Sequence, residues 1–200
     1  IDPHRIKTWT KRQLQLKKAH VADKACKMLQ TFFAIDGESG QPYGFGIGSS
    51  SLTVTQSTPQ LVDRIAAILP GKALLIADTE HFTSKLLDYL AGLKPFSFIL
   101  PAPHYKKIMG QIKKMDFTPM WAGYAVAEGK YKSLGSHESI RLIAQRTGET
   151  EDTYTYKPFV TTSQISAADL MTILFPERWN IEEIFNMESA LGWNRASTMN

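Results

Sequence analysis

Two adjacent carboxylates, Glu182 and Glu183, lie in the segment FPERWNIEEIF, which covers residues 175–185. The pattern predicts a helix whose apolar face consists of Ile181, Ile184 and Phe185. Glu182 borders this face, whereas Glu183 points further toward solvent. Glu182 could therefore reach a site beneath the helix, with Arg178 four residues away on the same face. The alternative is a surface ion pair between Arg178 and Glu182, worth only about 0.3–0.5 kcal/mol.

Two further carboxylates are candidates for the same site. Asp78 is the first polar residue after the apolar run ALLIA, which predicts a buried strand, and sites in open α/β sheets form at the carboxyl ends of strands. The alternative for Asp78 is a strand-end residue that caps the next loop. Asp2, which is followed by Pro3 and His4, lies in a basic arm, and its position alone indicates only a chain terminus.

Three carboxylates from distant positions make chemical sense together if they bind divalent metal ions. Mg²⁺ prefers oxygen ligands, and clustered carboxylates repel one another unless a cation or protons neutralise them. Two such ions about 3.5–4 Å apart can stabilise the attacking and leaving oxygens of a phosphoryl transfer. An acidic metal centre within a basic surface is the arrangement that chemistry on DNA requires.

The basic residues are unevenly distributed along the chain. The net charge is +4, but residues 1–27 carry eight Lys or Arg and two Asp, a net +6, which leaves −2 for the remainder. The candidate DNA-contacting cations are Lys11 and Arg12 in this arm and Lys106, Lys107, Lys113 and Lys114 in a later cluster. Such a distribution is typical of a nucleic-acid footprint, and the alternative is a solvated charged surface.

The amino-acid composition excludes several classes of protein. The hydrophobic fraction of 43% is enough for a core, and the single Cys26 excludes an internal disulfide framework and indicates a reducing compartment. No run approaches the ~18 apolar residues of a membrane span, so we expect no membrane partner and a cytoplasmic location. Because the chain begins abruptly at Ile1, we expect it to be a piece of a longer protein.

The first 100 residues predict a hairpin, a helix, a strand, a second helix and a second strand, an order typical of an α/β sheet. The hairpin turns around Asp36, a rival site carboxylate whose place in DGESG favours an ordinary turn. The glycines that follow it, Gly44, Gly46 and Gly48, indicate close backbone packing rather than a phosphate loop. We expect Pro59 to open the first helix and Thr83 to cap the second.

The remaining residues predict two further segments. Residues 101–164 read as a β-rich insertion, which divides a catalytic core into residues 1–100 and the C-terminal helices of residues 165–200. We expect Ser166 to begin a helix that Pro176 interrupts. A last helix should then run from near Glu177 to Leu191 and end at Gly192.

The segment FPERWNIEEIF resembles the helix that carries the third carboxylate of DDE transposases from bacterial insertion sequences, of the insertion-sequence-four type. That family's signature is Tyr, two residues, Arg, three residues, Glu, six residues and Lys. Phe175, Arg178 and Glu182 stand at matching places, although Phe175 replaces Tyr and Ser189 replaces Lys. The block LLIADTEHFTSKLLDYL resembles the second-aspartate block, around Asp78, and IDPHRI resembles the start of the catalytic region, around Asp2.

This resemblance implies a ribonuclease H-like α/β fold, a mixed sheet flanked by helices, with the β-rich insertion before the last catalytic helix. It implies that Asp2, Asp78 and Glu182 bind two Mg²⁺ or Mn²⁺ ions, and that Arg178 contacts phosphate. The implied substrate is double-stranded DNA, namely transposon ends and a target, which the domain would cleave and join. Self-association in a synaptic complex is a further expectation.

Two alternatives stay open. Ser189 in place of the signature lysine, together with a shortened first strand, is compatible with a DNA-binding transposase remnant that has no catalytic activity. A ribonuclease H-like nuclease would cleave DNA on the same fold without joining it, and a strand-transfer assay separates that nuclease from a transposase.

Overall fold

The computed structural model describes residues 1–8, 10, 11, 13–18, 24–69, 71–132 and 139–192. The chain forms two compact units. Unit 1 contains residues 1–70 and 179–200, and unit 2 contains residues 71–178. The predicted division into a catalytic core and an insertion at residues 101–164 assigns functions to segments, which compactness alone does not test. It stays a prediction.

Unit 1 is an antiparallel sheet with two helices. Its elements are β1 (Asp2–Lys7), β2 (Leu16–Lys17), β3 (Cys26–Ile35), β4 (Pro42–Ser49), α1 (Val54–Ile68) and α5 (Trp179–Ala190). Strand β3 is central and pairs antiparallel with each of the other three strands. Its ten residues include the fully buried side chains of Met28 and Phe32, which anchor the sheet in the core.

The predicted hairpin between β3 and β4 is confirmed. The Asp36 carboxylate accepts hydrogen bonds from the Ser39 backbone N–H at 3.1 Å and from the Ser39 hydroxyl at 2.5 Å. Gly40 adopts a positive φ of 69°, a conformation that glycine reaches without steric cost. Asp36 is therefore engaged in the turn, as its sequence context indicates.

Close packing of the strand glycines is confirmed at two of the three positions. A Cβ atom at Gly48 would lie 2.6 Å from Cδ2 of Leu52, and one at Gly44 would lie 3.4 Å from Cδ1 of Leu61 in α1. Gly46 has nothing within 4 Å of such an atom. Helix α1 begins at Val54, so the prediction that Pro59 opens it is wrong. The start is set by a capping box between Thr53 and Gln56, and Pro59 lies inside the helix.

Unit 2 is a six-stranded mixed sheet flanked by helices. Its strands are β5 (Leu74–Ile76), β6 (Ser97–Pro101), β7 (Thr118–Trp121), β8 (Tyr124–Lys132), β9 (Ser139–Thr147) and β10 (Thr155–Thr161). Their order is β5-β6-β10-β9-β8-β7; β5 and β6 are parallel, and the other neighbours pair antiparallel. Its helices are α2 (Ser84–Gly92), α3 (Lys106–Ile112) and α4 (Ala167–Asp169). Thr83 caps α2 as predicted, with its hydroxyl accepting from the Leu86 N–H.

A continuous C-terminal segment covers one face of this sheet. After α4, which Ser166 caps as predicted, a π-helical stretch (Leu170–Leu174) leads into a 3-10 turn (Phe175–Arg178). Leu170, Met171 and Phe175 pack against a cluster on the sheet formed by Ile99, Val126, Ile143 and Phe159. Because Pro176 cannot continue a regular helix, the chain tightens there.

Helix α5 starts at Trp179, two residues after the predicted start at Glu177. Arg178 is the last residue of the 3-10 turn, and α5 follows it directly. The predicted stop at Gly192 is confirmed, since the helix ends at Ala190 and Gly192, two residues later, has a positive φ of 74°. In the part of the chain that the structure describes, no helix is long and apolar enough to span a membrane.

The Phe159 side chain is fully buried and meets Phe175 edge to face, with ring centroids 4.7 Å apart. We expect Phe159→Ala to lower the free energy of unfolding by about 3–5 kcal/mol, because it leaves a cavity in the core. Ile173→Ala, in the same C-terminal segment but 57% exposed, should cost less than about 0.5 kcal/mol. Urea unfolding followed by circular dichroism checks both values, and equal effects would contradict this account of the core.

Candidate active site

Asp78 is held in a defined position just beyond the carboxyl end of β5. It caps a 3-10 turn (Thr79–His81), and its Oδ1 accepts hydrogen bonds from the Glu80 backbone N–H at 3.0 Å and from Nδ1 of His81 at 2.8 Å. Both bonds engage the same oxygen. Oδ2 therefore keeps its lone pairs for a ligand, and 26% of the side chain is exposed. The capping role and a site role are thus compatible in one residue.

The Asp78 carboxyl has a lowered pKa despite its burial. Burial is the largest influence and raises the pKa, but the hydrogen bond and charge of His81, the Glu80 N–H and the charge of Arg178 together outweigh it. A lowered folded-state pKa contributes stability that is present above the unfolded value of 3.8 and is lost as the pH falls through the folded value. At neutral pH, the Asp78 carboxyl is therefore ionised.

His81 was not identified from the sequence, although it lies only three residues after Asp78. The side chain is fully buried, and its ring is fixed by the bond from Nδ1 to Asp78. Among the described residues, no hydrogen-bond partner reaches its Nε2. A carboxylate that is oriented by a buried imidazole loses little freedom when it binds a cation, because its rotamer is already set.

Arg178 adds positive charge near this carboxylate. The charge of Arg178 acts on Asp78 and also on Lys157, so the three side chains form one electrostatic group within unit 2. Spacing along the chain did not indicate this effect of Arg178 on Asp78.

Asp2 and Glu182 lie in unit 1, on elements that pack together. The His4 ring of β1 stacks on Phe185 of α5 with centroids 4.4 Å apart, and Phe33 of β3 meets Phe185 edge to face at 5.6 Å. Strand alternation puts Asp2 on the face of β1 that carries His4, and helical phase puts Glu182 on the side of α5 that carries Phe185. The two acids are thus presented by neighbouring faces.

The predicted difference between the two glutamates is confirmed. Ile181 is buried and Glu182 is half-buried, whereas Glu183 is exposed. Helix α5 is also tied to the hairpin turn, because the Asn180 side-chain amide donates to the Gly37 carbonyl at 2.6 Å. This bond fixes the first turn of the helix, directly before Glu182.

The metal-binding role of the three carboxylates stays a prediction. Asp2 and Glu182 belong to unit 1, and Asp78 belongs to unit 2. Within each unit, the described residues contain no group of three or more His, Cys, Asp or Glu side chains that could hold a metal ion. The donor chemistry nevertheless suits Mg²⁺ or Mn²⁺, since Asp78 offers an ionised oxygen and Glu182 a second carboxylate.

The sequence profile described as the transposase DDE domain matches residues 1–198. The chain belongs to this family. The match covers nearly its whole length, and the mixed sheet flanked by helices agrees with the ribonuclease H-like fold of a DDE transposase. No curated protein matched the chain in a sequence search. The family supports a transposase or DNA-cleaving role in general, on DNA substrates, and its members generally use divalent metals.

The cations that were predicted to contact DNA are mostly exposed. Lys106 and Lys107 lie in α3, and Lys113 and Lys114 follow it directly; all four are exposed, as is Lys11. Arg12 lies outside the described residues. Their contacts with DNA stay a prediction.

A cleft beside Lys113 in unit 2 adds one cation that the sequence did not single out. Its walls include His104, Lys113 and Arg146. The Arg146 guanidinium lies between two aromatic rings, 4.8 Å from the centroid of Phe117 and 4.2 Å from that of Tyr154. Cation–π contacts of this kind hold an arginine in place without neutralising it.

Substitutions of His81 separate the effect of burial on the pKa of Asp78 from the effect of the His81 hydrogen bond. In His81→Leu, burial is no longer opposed by the Nδ1 bond, so the pKa of Asp78 should rise above that of the unaltered protein. In His81→Asn, the amide N–H can replace Nδ1–H, so the pKa should stay closer to the original. Titration of aspartate carboxyl carbons by NMR measures both, with Asp78→Asn assigning the signal. An unchanged Asp78 pKa in His81→Leu would show that His81 does not set the ionisation of this carboxyl.

Proposed function

We propose that this domain is a transposase of the insertion-sequence-four type that cleaves DNA at transposon ends and joins it to a target. The observation that carries the proposal is Asp78, which is ionised, oriented by His81 and left with one oxygen for a ligand. A DDE transposase requires such a carboxylate at the end of a core strand. The general role in DNA cleavage follows from the family, and cleavage and joining at transposon ends are our inference.

Asp2, Asp78 and Glu182 would together hold two Mg²⁺ or Mn²⁺ ions. When bound, these ions supply Lewis-acid stabilisation of the attacking and leaving oxygens at the scissile phosphodiester. The protein's own part is to present the carboxylates in fixed rotamers, Asp78 through His81 and Glu182 through the anchored first turn of α5. Pre-set ligands avoid reorganisation at the moment of reaction, which is the main source of electrostatic catalysis.

Arg178 would hold a phosphate of the DNA beside Asp78, since its planar guanidinium can donate two parallel hydrogen bonds to phosphate oxygens. Lys11, Arg12, Lys106, Lys107, Lys113 and Lys114 would follow the backbone of the duplex. In this proposal, residues 101–164 act as an insertion within a catalytic core, copies associate in a synaptic complex, and the protein works in the cytoplasm.

A DNA-binding remnant without activity is the second candidate, and one observation favours it. Ser189 is exposed and donates its hydroxyl to the Phe185 carbonyl at 2.8 Å, within the same helix. No cation is therefore present where the insertion-sequence-four signature places lysine. The nuclease alternative differs only in the joining step.

Cleavage of transposon-end DNA by the longest version of the protein tests the proposal. With Mg²⁺ or Mn²⁺, Asp78→Asn and Glu182→Gln should each lower the cleavage rate about 100-fold or more, because each removes a group that stabilises transition-state charge. Glu183→Gln, on the same helix, and Asp36→Asn, in the hairpin turn, are matched controls and should retain the original rate.

Three other outcomes decide between the candidates. Cleavage that persists in both Asp78→Asn and Glu182→Gln would refute the metal–carboxylate mechanism. Binding of transposon-end DNA without cleavage under either metal would establish the remnant. Cleavage without transfer of the 3′ end into target DNA would establish the nuclease.

A further inference from the structure

Lys157 is a cation that no sequence argument singled out. It lies in β10, and its Nζ sits over two aromatic rings, 5.6 Å from the centroid of Phe159 and 5.7 Å from that of Phe175. Both rings belong to the buried core of unit 2. The contact with the rings holds the end of a long, flexible side chain in one place, which lowers the entropy lost when it binds a ligand.

The position of Lys157 is electrostatically unfavourable as it stands. Partial burial of its ammonium end, and then the positive charge of Arg178, lower the pKa of Lys157. Among the described residues, no carboxylate forms an ion pair with it. The positive charges of Lys157 and Arg178 repel each other, and an anion that binds both would stabilise them.

The nearby groups indicate which anion this is. Arg178 acts on Lys157 and on Asp78, the carboxylate that we place at the reaction centre. A guanidinium can bind a phosphate through two parallel hydrogen bonds, and an ammonium adds a point charge with three donors. A phosphodiester bound here would lie beside the proposed cleavage site, where a strand of the DNA substrate has to pass.

We propose that Lys157 and Arg178 form a paired binding site for one backbone phosphate of the DNA substrate. This inference rests on the proposed function, because it takes DNA as the ligand. The insertion-sequence-four signature places a lysine where this chain has Ser189. Lys157, in β10, is a phosphate-binding lysine at another position of the chain. The phosphate relieves the repulsion between the two cations, and the rings of Phe159 and Phe175 keep Lys157 directed at it.

The site is tested by the salt dependence of DNA binding, measured by fluorescence anisotropy with a labelled transposon-end duplex and no divalent metal. Lys157→Gln should lower the slope of log affinity against log salt by about 0.9, the value of one phosphate contact on duplex DNA. When the salt is lowered from 1 M to 0.1 M, the affinity of Lys157→Gln should therefore rise about eightfold less than that of the unaltered protein. Lys157→Arg keeps the charge and should retain the original slope.

Two further variants separate the phosphate contact from a structural effect. Lys157→Met keeps the aliphatic contact with the rings, so it should fold normally and yet lose the same slope as Lys157→Gln. Lys130→Gln is the control for the loss of one lysine from the same sheet. Lys130 lies in β8, which β9 separates from β10, so the slope should stay unaltered. Urea unfolding of each variant verifies its fold.

The outcomes distinguish this site from the proposed activity. If Lys157→Met and Lys157→Gln bind with the slope of the unaltered protein, the phosphate site is refuted, even where that protein cleaves DNA in a manner dependent on Asp78. If Lys157→Arg loses as much slope as Lys157→Gln, the effect is not one of charge, and the site is likewise refuted. If the slope falls as expected while Asp78→Asn still cleaves, the phosphate site stands and the proposed mechanism fails.

Discussion

The packing of Phe175 on Phe159 is the interaction on which the arrangement of unit 2 depends. The two rings meet edge to face in the core, and Pro176 tightens the chain directly after them. This contact fixes the 3-10 turn that ends at Arg178, and the same two rings form the platform for Lys157. Core packing and the placement of the cations Lys157 and Arg178 therefore share one cause.

The charges in unit 2 show how a buried site can be kept ionised. Burial alone would favour the neutral form of Asp78 and of Lys157. At Asp78, His81, the Glu80 N–H and Arg178 lower the pKa by more than burial raises it. At Lys157, burial lowers the pKa, and the positive charge of Arg178 lowers it further. Hydrogen bonds and positive charge within the protein thus favour the ionised carboxylate, whereas neither burial nor Arg178 favours the charged ammonium of Lys157. A partly buried ammonium beside a second cation is stabilised by an anionic ligand.

Local patterns in the sequence were sufficient for many elements and for part of the site. Helical phase separated Glu182 from Glu183, and the position of Asp78 after an apolar run located it at the end of β5. The start of α1 was placed five residues late, because Pro59 was weighted above the capping box of Thr53 and Gln56. Propensity and capping act over a few residues, so a sequence can report them directly.

The sequence by itself determined the fold class, the hairpin turn at Asp36, the caps at Thr83 and Ser166, and which of two glutamates borders the packed face of α5. Only the tertiary structure decided that Arg178 ends a 3-10 turn, that His81 orients Asp78, and that the charges of Lys157 and Arg178 act on each other. Lys157 and Arg178 are separated by about twenty residues along the chain. Their proximity arises from the packing of the C-terminal segment on the sheet, and no local periodicity or propensity records a contact of that kind.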